Sequence, residues 1–396
     1  MALAAMKEIT PPSSNPRRTW ARRGGGVGNG VASRWNVTTS TLSTRSAPRT
    51  LPRVSTALVE ELAAALPPGT VISDPDLLAG YRHDQAHLCP AGTPVAVVRP
   101  RDRDQVVTVM RIASARGVPV VPQGARTGLA GGANAVEGAL VLSLAGLDRI
   151  VEIDPANRVA VVQPGVVNAT LARALAAHGL RFPPDPSSWE SSTIGGNVAT
   201  NAGGMCCVKY GVTSEYVIGL EVVLADGEVL RTGRRTPKGV AGYDLTRLFV
   251  GSEGTLGVIT EITLALRPLA EESLTLVAVF PTTAGAGDAV AKIAAAGATP
   301  SLLELLHRTH LAAIEAYRPM GLRTDAAALL LAAADTGPRA GEDLRVIERL
   351  CRAAGAAEVY TATDATEAEA LLAARRLAYH GMEHLAATAF PAGNGG

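Results

Sequence analysis

Three glycine-rich segments contain the residue types in this 396-residue chain that could hold a ligand. They cover Pro122–Gly132, Ser192–Gly204 and Gly251–Ile259, and each lies beside a strand-like run. Glycine lets the backbone approach a ligand closely, and successive N–H groups in such a loop form a concave site for anionic oxygens. One such loop could be an ordinary turn. Three of them, with Thr and Asn among the glycines, predict a site for a pyrophosphate flanked by sugars and rings.

The two common nucleotide motifs are absent from the sequence. No G-x-G-x-x-G occurs, and the run Gly24–Gly30 fails its spacing. No glycine precedes a lysine in a G-K-[ST] arrangement. Their absence excludes the Rossmann fingerprint and the P-loop of kinases and ATPases. Spacing alone therefore indicates a dinucleotide-like ligand in a less common fold.

Hydrophobic patterning predicts the elements that must position these loops. Strands over Pro94–Val98 and Val118–Pro122, with a helix over Gln105–Arg116 between them, predict a βαβ unit. Strand-like runs dominate from there to Pro268. Beyond Pro268, if one additional helix is set aside, the predicted order is β-α-β-β-α-β, a split βαβ arrangement. A last helix is predicted over Ala365–Ala378.

Composition and charge exclude several classes of protein. Only 4% of the residues are aromatic, and the chain after residue 54 is mildly acidic, which argues against a nucleic-acid partner. Four cysteines suit a reducing compartment, and no segment has the composition of a membrane span. We expect a cytoplasmic protein, at most peripheral at a membrane through a partner. Residues 1–54 carry nine Lys/Arg and one acid. Such a segment could be a targeting peptide. Alternatively, it is a disordered leader or results from an overcalled start codon, and we favour this alternative.

The block Val95–Pro268 resembles the FAD-binding domain of the vanillyl-alcohol oxidase superfamily, the PCMH-type fold. The resemblance rests on the three segments, on Pro183–Pro186, and on the motifs Lys209-Tyr210-Gly211 and Gly242-Tyr243-Asp244-Leu245. The branch it resembles most contains the glycolate oxidase flavoprotein subunit and the D-lactate and D-2-hydroxyglutarate dehydrogenases. The implied fold is α+β, a two-part PCMH-type FAD-binding domain followed by an incomplete ferredoxin-like (split βαβ) substrate cap domain. The implied bounds are a leader at 1–54, the FAD-binding domain at 55–268 (subdomains about 55–150 and 151–268), the cap at 269–390 and a tail at 391–396.

The resemblance also implies the cofactor and the residues that hold it. Some relatives attach the flavin covalently through a histidine in the first loop, but positions 123–130 contain no His or Cys, so we predict non-covalent FAD. Arg126 departs from the commoner residue there and would pair either with a phosphate or with solvent. The implied cofactor-binding residues are Pro122, Gly124, Ala125, Arg126, Thr127, Gly128, Leu129, Pro184, Asp185, Ser192, Thr193, Gly195, Gly196, Asn197, Ala199, Thr200, Gly203, Glu253, Gly257, Val258 and Ile259.

The reaction implied by the resemblance is oxidation of a D-2-hydroxy acid (lactate, glycolate or 2-hydroxyglutarate type) to the 2-oxo acid by hydride transfer to the flavin. Electrons would pass to a quinone, a cytochrome or an electron-transfer protein, possibly through an iron–sulfur subunit. Arg375 matches a carboxylate-binding arginine of the family, with a solvated helix arginine as the alternative.

The family's catalytic motif H-x-G-D-G-N-x-H is absent, so no catalytic residue is assigned. The chain then resembles a shortened member of the family. Besides an active dehydrogenase, two alternatives remain: an FAD-binding subunit without independent activity, and a fragment that cannot fold its cap.

Two other groups of residues have chemistry that we do not assign to the site. His380 and His384 lie four residues apart in H-G-M-E-H, a spacing that could bind zinc on a helix, but Gly381 weakens a helix there, and we expect surface histidines and no metal. Cys206 and Cys207 are adjacent, and neighbouring cysteines rarely bridge, so we expect them to pack.

Overall fold

A computed structural model describes residues 56–389, except His87, Pro237, Glu272, Thr363 and Asp364. The predicted leader at 1–54 and the tail at 391–396 therefore lie outside the described residues. Among the described helices, none is both long enough and apolar enough to cross a membrane.

The first layer of structure is a four-stranded sheet, and its third strand along the chain leads into the first glycine-rich segment. Its elements are α1 (Thr56–Ala65), β1 (Val71–Ile72), α2 (Pro75–Ala79), β2 (Ala96–Val98), α3 (Arg103–Arg116), β3 (Val120–Gln123) and β4 (Leu140–Ser143). The strand order is β1-β2-β4-β3, with β4 parallel to both of its neighbours. The strands of the predicted βαβ unit, β2 and β3, are therefore separated by β4. Helix α3 begins where the Asp102 side chain accepts the Gln105 N–H and ends at Gly117, which has a φ of 64°.

A five-stranded antiparallel sheet in the order β5-β6-β10-β8-β9 forms the second layer. Its elements are β5 (Ile150–Asp154), β6 (Val159–Val162), α4 (Asn168–Ala176), β7 (Leu180–Arg181), α5 (Ile194–Ala199), α6 (Cys207–Tyr210), β8 (Val217–Val223), β9 (Val229–Gly233), α7 (Leu245–Phe249), β10 (Val258–Ala265) and β11 (Arg267–Pro268). The second glycine-rich segment forms α5 and the loop after it, and the third joins α7 to β10. The short strands β7 and β11 pair with each other.

The third layer is an antiparallel sheet in the order β13-β14-β12-β15, the strand order of a ferredoxin-like fold. Its elements are β12 (Leu274–Phe280), α8 (Thr283–Ala295), β13 (Leu302–His307), α9 (Arg308–Tyr317), β14 (Ala328–Ala334), α10 (Ala340–Ala353), β15 (Glu358–Thr361), α11 (Ala365–Arg376) and α12 (Ala378–Ala389). Helices α8 and α10 pack in the core on one face, and α9 packs with residues of the α11–α12 region on the other. The predicted split βαβ arrangement is confirmed.

The single last helix predicted over Ala365–Ala378 is wrong, because the structure has two helices with a break at Leu377. Gly381 lies inside α12, although the sequence suggested that it would weaken a helix there. A Cβ at Gly381 would lie 2.9 Å from Ile314 N and 3.0 Å from Ala313 O. The glycine therefore lets α12 pack closely on α9, and this tertiary packing outweighs its low helix propensity.

Candidate functional site

The three glycine-rich segments converge on one place in the fold. A Cβ built on Gly124 would lie 2.3 Å from Thr193 Oγ1, so the first segment contacts the second without space for a side chain. A Cβ built on Gly132 would lie 2.1 Å from Glu253 Oε2, which joins the first segment to the third. The Glu253 N–H donates to the Ala199 carbonyl at 2.9 Å and joins the third segment to the second. We call this arrangement the glycine cradle.

Two buried polar atoms in the second segment have no hydrogen-bond partner within the described part of the chain. They are Ser192 Oγ and Asn197 Nδ2, and each residue is only 3% exposed. Leaving a buried polar group unpaired is costly, so native proteins rarely do so without a reason. Unpaired donors and acceptors beside three close-packed glycine segments fit a bound molecule with many hydrogen-bonding groups. The residues present therefore fit FAD.

Removing one of these unpaired groups is expected to have opposite effects on the protein with and without its cofactor. Because Ser192 Oγ has no hydrogen-bond partner among the described residues, Ser192→Ala should leave the melting temperature of the flavin-free protein unchanged or raise it. The same variant should bind FAD about threefold to tenfold more weakly, the value of about one hydrogen bond. Thermal denaturation and FAD titration measure the two effects. A fall in flavin-free stability with unchanged FAD affinity would show that Ser192 has only a structural role.

Gln123 fixes both ends of the first segment. Its side chain is 1% exposed, and its Nε2 donates to the carbonyls of Tyr81 at 2.8 Å and Ala133 at 2.7 Å. The chain between Gln123 and Ala133 is thereby closed into a loop. Gln123 is not among the site residues predicted from the sequence. The sequence feature that could have indicated its role is a polar residue at the end of a short apolar strand, a position where an apolar residue is usual.

The structure gives Arg126 two contacts within the protein. Its backbone has a φ of 58°, a conformation that non-glycine residues rarely adopt. Its Nη1 donates to the Gly80 carbonyl, and its guanidinium carbon lies 4.7 Å from the ring centroid of Tyr81. Arg126 is therefore held by the protein through a hydrogen bond and a cation–π contact, and its contact with a phosphate stays a prediction.

The last three predicted cofactor residues belong to the core. Val258 is 1% exposed and Ile259 is 7% exposed, and they pack in separate hydrophobic clusters. A Cβ on Gly257 would lie 2.6 Å from Val222 Cγ1, so this glycine permits contact with β8. Alternation along β10 directs the Val258 and Ile259 side chains into the sheet's two packed faces, so contact of these residues with the cofactor stays a prediction that falls to their backbone groups.

The remaining predicted residues lie within or beside the glycine cradle. Asp185 joins the Pro183–Pro186 segment to the end of the second glycine segment, because its Oδ1 accepts the Cys206 N–H at 3.0 Å. Burial raises the pKa of the Asp185 carboxyl. The Pro184 carbonyl accepts a hydrogen bond from Asn168 Nδ2 at 3.1 Å. The predicted cofactor residues that lie in the glycine-rich segments themselves, and that have not been described above, are Pro122, Ala125, Thr127, Gly128, Leu129, Gly195, Gly196, Thr200 and Gly203.

The adjacent cysteines are packing residues with neutral thiols. Cys207 Sγ accepts the Gly204 N–H at 2.8 Å. Burial raises the pKa of both the Cys206 and the Cys207 thiols, which disfavours the reactive thiolate form. The rings of His380 and His384 lie 6.3 Å and 5.7 Å from the Tyr317 ring. No group of three His, Cys, Asp or Glu residues that could hold a metal ion occurs among the described residues.

Arg375 is ion-paired rather than solvated. Its Nε lies 2.5 Å from Glu304 Oε2, and the two side chains are 28% and 20% exposed. Glu304 lies on β13 of the third-layer sheet β13-β14-β12-β15, which we call the cap sheet. Arg375 lies in the last turn of α11. Arg375 could be predicted from the sequence and Glu304 could not, because nothing in the local sequence connects positions 71 residues apart.

A buried charged cluster joins the cap sheet to the part of the fold that holds the cradle. Asp335, at the end of β14, is 4% exposed by its side chain and accepts hydrogen bonds from Tyr210 OH at 2.5 Å, Arg181 Nη2 at 3.3 Å and Lys209 Nζ. The Arg181 guanidinium lies 4.4 Å from the Tyr210 ring centroid. Burial would raise the pKa of Asp335, but the hydrogen bonds from Lys209 and Tyr210 outweigh it and hold the pKa below the usual aspartate value. We call these four residues the Asp335 cluster.

Comparison with known proteins places this geometry in a family. Residues 94–233 match the model of an FAD binding domain, and residues 269–392 match the C-terminal domain of FAD linked oxidases. The chain is similar to the glycolate oxidase subunit GlcD of Bacillus subtilis, with 47% identity over 74% of this chain and 63% of that protein. It is also 38% identical to the uncharacterized FAD-linked oxidoreductase Rv2280 of Mycobacterium tuberculosis, over 80% of this chain and 72% of that one.

A solved structure of p-cresol methylhydroxylase with substrate bound has the same fold. The TM-score is 0.69 at 18% identity, over 83% of this chain and 71% of that chain. The chain thus spans less than two thirds of the length of the B. subtilis relative and about seven tenths of the other two proteins.

Proposed function

Because this chain belongs to the FAD-linked oxidases, we propose that it oxidises a D-2-hydroxy acid to the 2-oxo acid with FAD as the electron acceptor. The observation that carries the proposal is the glycine cradle, with the unpaired atoms of Ser192 and Asn197 in its wall. The similarity to a glycolate oxidase subunit supports the substrate class. Lactate, glycolate and 2-hydroxyglutarate are the three substrate types that we consider.

We assign the binding roles as follows. The backbone of Gly124–Leu129 and of Ser192–Gly203, with Glu253, holds the cofactor, and the absence of His and Cys at positions 123–130 supports a non-covalent attachment. FAD supplies an acceptor for two electrons when it is bound. Arg375 binds the substrate carboxylate, since a guanidinium pairs with a carboxylate through two parallel hydrogen bonds.

The reaction removes two electrons and two protons from the acid. The hydrogen on C2 leaves with the electron pair of its C–H bond, the hydroxyl loses its proton, and the C–O single bond becomes a carbonyl. The positioning of C2 and the neutralisation of the carboxylate are the contributions that this chain's residues make. The electrons then pass to a non-nicotinamide acceptor, such as a quinone, a cytochrome or an electron-transfer protein.

A second candidate is an FAD-binding subunit that acts only with a partner, such as an iron–sulfur subunit. The similarity to a protein named as an oxidase subunit favours it. The two candidates differ in whether the isolated chain reduces its flavin with substrate.

Anaerobic reduction of the flavin tests the proposal. The purified, FAD-loaded chain is mixed with D-lactate, glycolate or D-2-hydroxyglutarate, with L-lactate as the stereochemical control, and the flavin absorbance is followed. At least one of the three acids should bleach the flavin, and an added electron-accepting dye should restore the colour. A yellow protein that only bleaches after a partner subunit is added would favour the second candidate. A yellow protein that no 2-hydroxy acid bleaches or binds would contradict the proposed substrate class.

A further inference from the structure

We propose that Glu304 is a positioning residue for Arg375: it holds one edge of the guanidinium so that the other edge faces the substrate carboxylate. The inference rests on the proposed function, because it takes Arg375 as the carboxylate-binding residue. The inference adds Glu304, a residue of the cap sheet, to the site. Its role is to orient the arginine that binds the substrate, which the cofactor-binding segments do not do.

The first observation is the contact itself. Glu304 Oε2 accepts a hydrogen bond from Arg375 Nε at 2.5 Å, and both side chains are largely shielded from solvent. On β13, Leu302 and Leu306 are buried in the same hydrophobic cluster, and alternation along a strand places Glu304 on their face of the sheet. The carboxylate therefore stands on the face opposite helices α8 and α10.

The second observation places this pair beside the second glycine segment. Met205, which follows that segment, packs in the same hydrophobic cluster as Leu302 and Leu306 on either side of Glu304, and helix α6, which begins at Cys207, contacts β13. Cys207 is bound through its sulfur to the N–H of Gly204, at the end of that segment. Glu304 consequently lies close to the loop that leaves the cradle.

The third observation connects the same helical region to the first glycine segment. Tyr379, four residues after Arg375, donates its hydroxyl hydrogen to the Gln85 carbonyl at 2.9 Å. The Gln85 N–H in turn donates to the Gly128 carbonyl at 3.0 Å. Burial raises the pKa of Tyr379 to about 12, so its hydroxyl stays protonated and remains a donor. The helical region that carries Arg375 thus contacts the cap sheet through Arg375 and, through Tyr379 and Gln85, the chain bound to the first glycine segment.

The chemistry of arginine explains why such a partner is useful. A guanidinium offers its donors along separate edges, and a carboxylate bound at Nε leaves the pair of Nη atoms as a second edge for a second carboxylate. A long side chain without an anchor must be ordered each time a ligand binds. The opposite possibility is that Glu304 competes with the substrate for Arg375, in which case removing its charge would strengthen binding. The two possibilities predict opposite changes in affinity.

The test compares Glu304→Ala and Glu304→Gln in the full FAD-loaded chain. The probes are pyruvate, glyoxylate and 2-oxoglutarate, which are 2-oxo acids of the product class and leave the flavin oxidised, and their binding is followed by the flavin absorbance. We expect Glu304→Ala to weaken binding of the best probe by about tenfold. Glu304→Gln keeps an oxygen acceptor for Arg375 Nε and should stay within about threefold of wild type. Both variants should retain wild-type FAD affinity.

Two further variants separate the possible failures. Glu369→Ala removes the carboxylate partner of the adjacent Arg376 and should leave probe affinity unchanged. Arg375→Ala should weaken the best probe by tenfold or more. If Arg375→Ala weakens binding but Glu304→Ala does not, or if both Glu304 variants bind more tightly, the positioning role is overturned and the proposed function stands. If the yellow wild-type chain binds none of the probes, the proposed substrate class fails, and the role of Glu304 fails with it.

Discussion

The Gly124→Ala variant is expected to bind FAD about a hundredfold more weakly than the wild-type chain. Its new methyl group would lie 2.3 Å from Thr193 Oγ1, closer than any real contact, so either the Thr193 side chain must rotate or the first and second segments must separate. Thr193 Oγ1 also accepts the Gly196 N–H at 3.3 Å at the start of α5, and this bond would be disturbed. The loss of one or two hydrogen bonds to a charged ligand, at about 1.5–3 kcal/mol each, gives this order of magnitude. Titration of the flavin-free variant with FAD measures it.

A matched control for this variant is Gly287→Ala. Gly287 lies inside α8, and among the described residues no atom beyond its chain neighbours and its own helix backbone lies within 4 Å of the position where its Cβ would be. Alanine is the better helix former, so this variant should be as stable as wild type or more stable by about 0.5–1 kcal/mol, with unchanged FAD affinity. If Gly124→Ala is folded and binds FAD as tightly as wild type and Gly287→Ala, the first segment does not contact the cofactor.

The Asp335→Asn variant should lower the free energy of unfolding by about 2–4 kcal/mol, because it leaves the charges of Arg181 and Lys209 without their carboxylate. The amide keeps the shape of the side chain, so the decrease in the free energy of unfolding measures the loss of charge rather than a change in packing. Thermal denaturation should show a melting temperature several degrees lower. Limited proteolysis should show faster cleavage of the cap if the cluster joins it to the rest of the fold.

The effect of Asp335→Asn on stability should depend on pH in a way that identifies the ionised Asp335 carboxylate as its cause. The pKa of Asp335 is held below its ordinary value of 3.8, so the ionised carboxylate stabilises the fold above that pH and the stabilisation is lost as the pH falls. The difference in stability between wild type and Asp335→Asn should be complete at pH 7 and shrink below about pH 4. Asp288→Asn, which removes an exposed ion pair with Lys292 inside α8, should cost about 0.5 kcal/mol or less. An equal effect of the two substitutions would contradict the role of the Asp335 cluster.

Local patterns in the sequence predict most elements of this fold. Helix α3 shows why, since its capping aspartate, its apolar face and its terminal glycine all lie within 16 residues. The split βαβ order follows from alternating strand and helix patterns in the same way. The glycine-rich segments are also recognisable locally, because a nest of backbone N–H groups requires consecutive small residues.

The arrangements that depend on contacts between distant residues could not be predicted. Glu304 and Arg375 are 71 residues apart, and Asp335 contacts residues more than 120 positions before it. The role of Arg126 depended on where Tyr81 lies, and the burial of Val258 depended on the register of β10. In each case the decisive quantity is a distance between segments, which residue type and spacing do not specify.

We propose that residues of the three glycine-rich segments form one binding site for FAD. The most direct test is titration of the flavin-free full chain with FAD, followed by the quenching of flavin fluorescence or by calorimetry. We expect saturation at one FAD per chain with micromolar or tighter affinity, and release of unmodified FAD when the protein is denatured. A well-folded chain that takes up no FAD at micromolar concentration would contradict it.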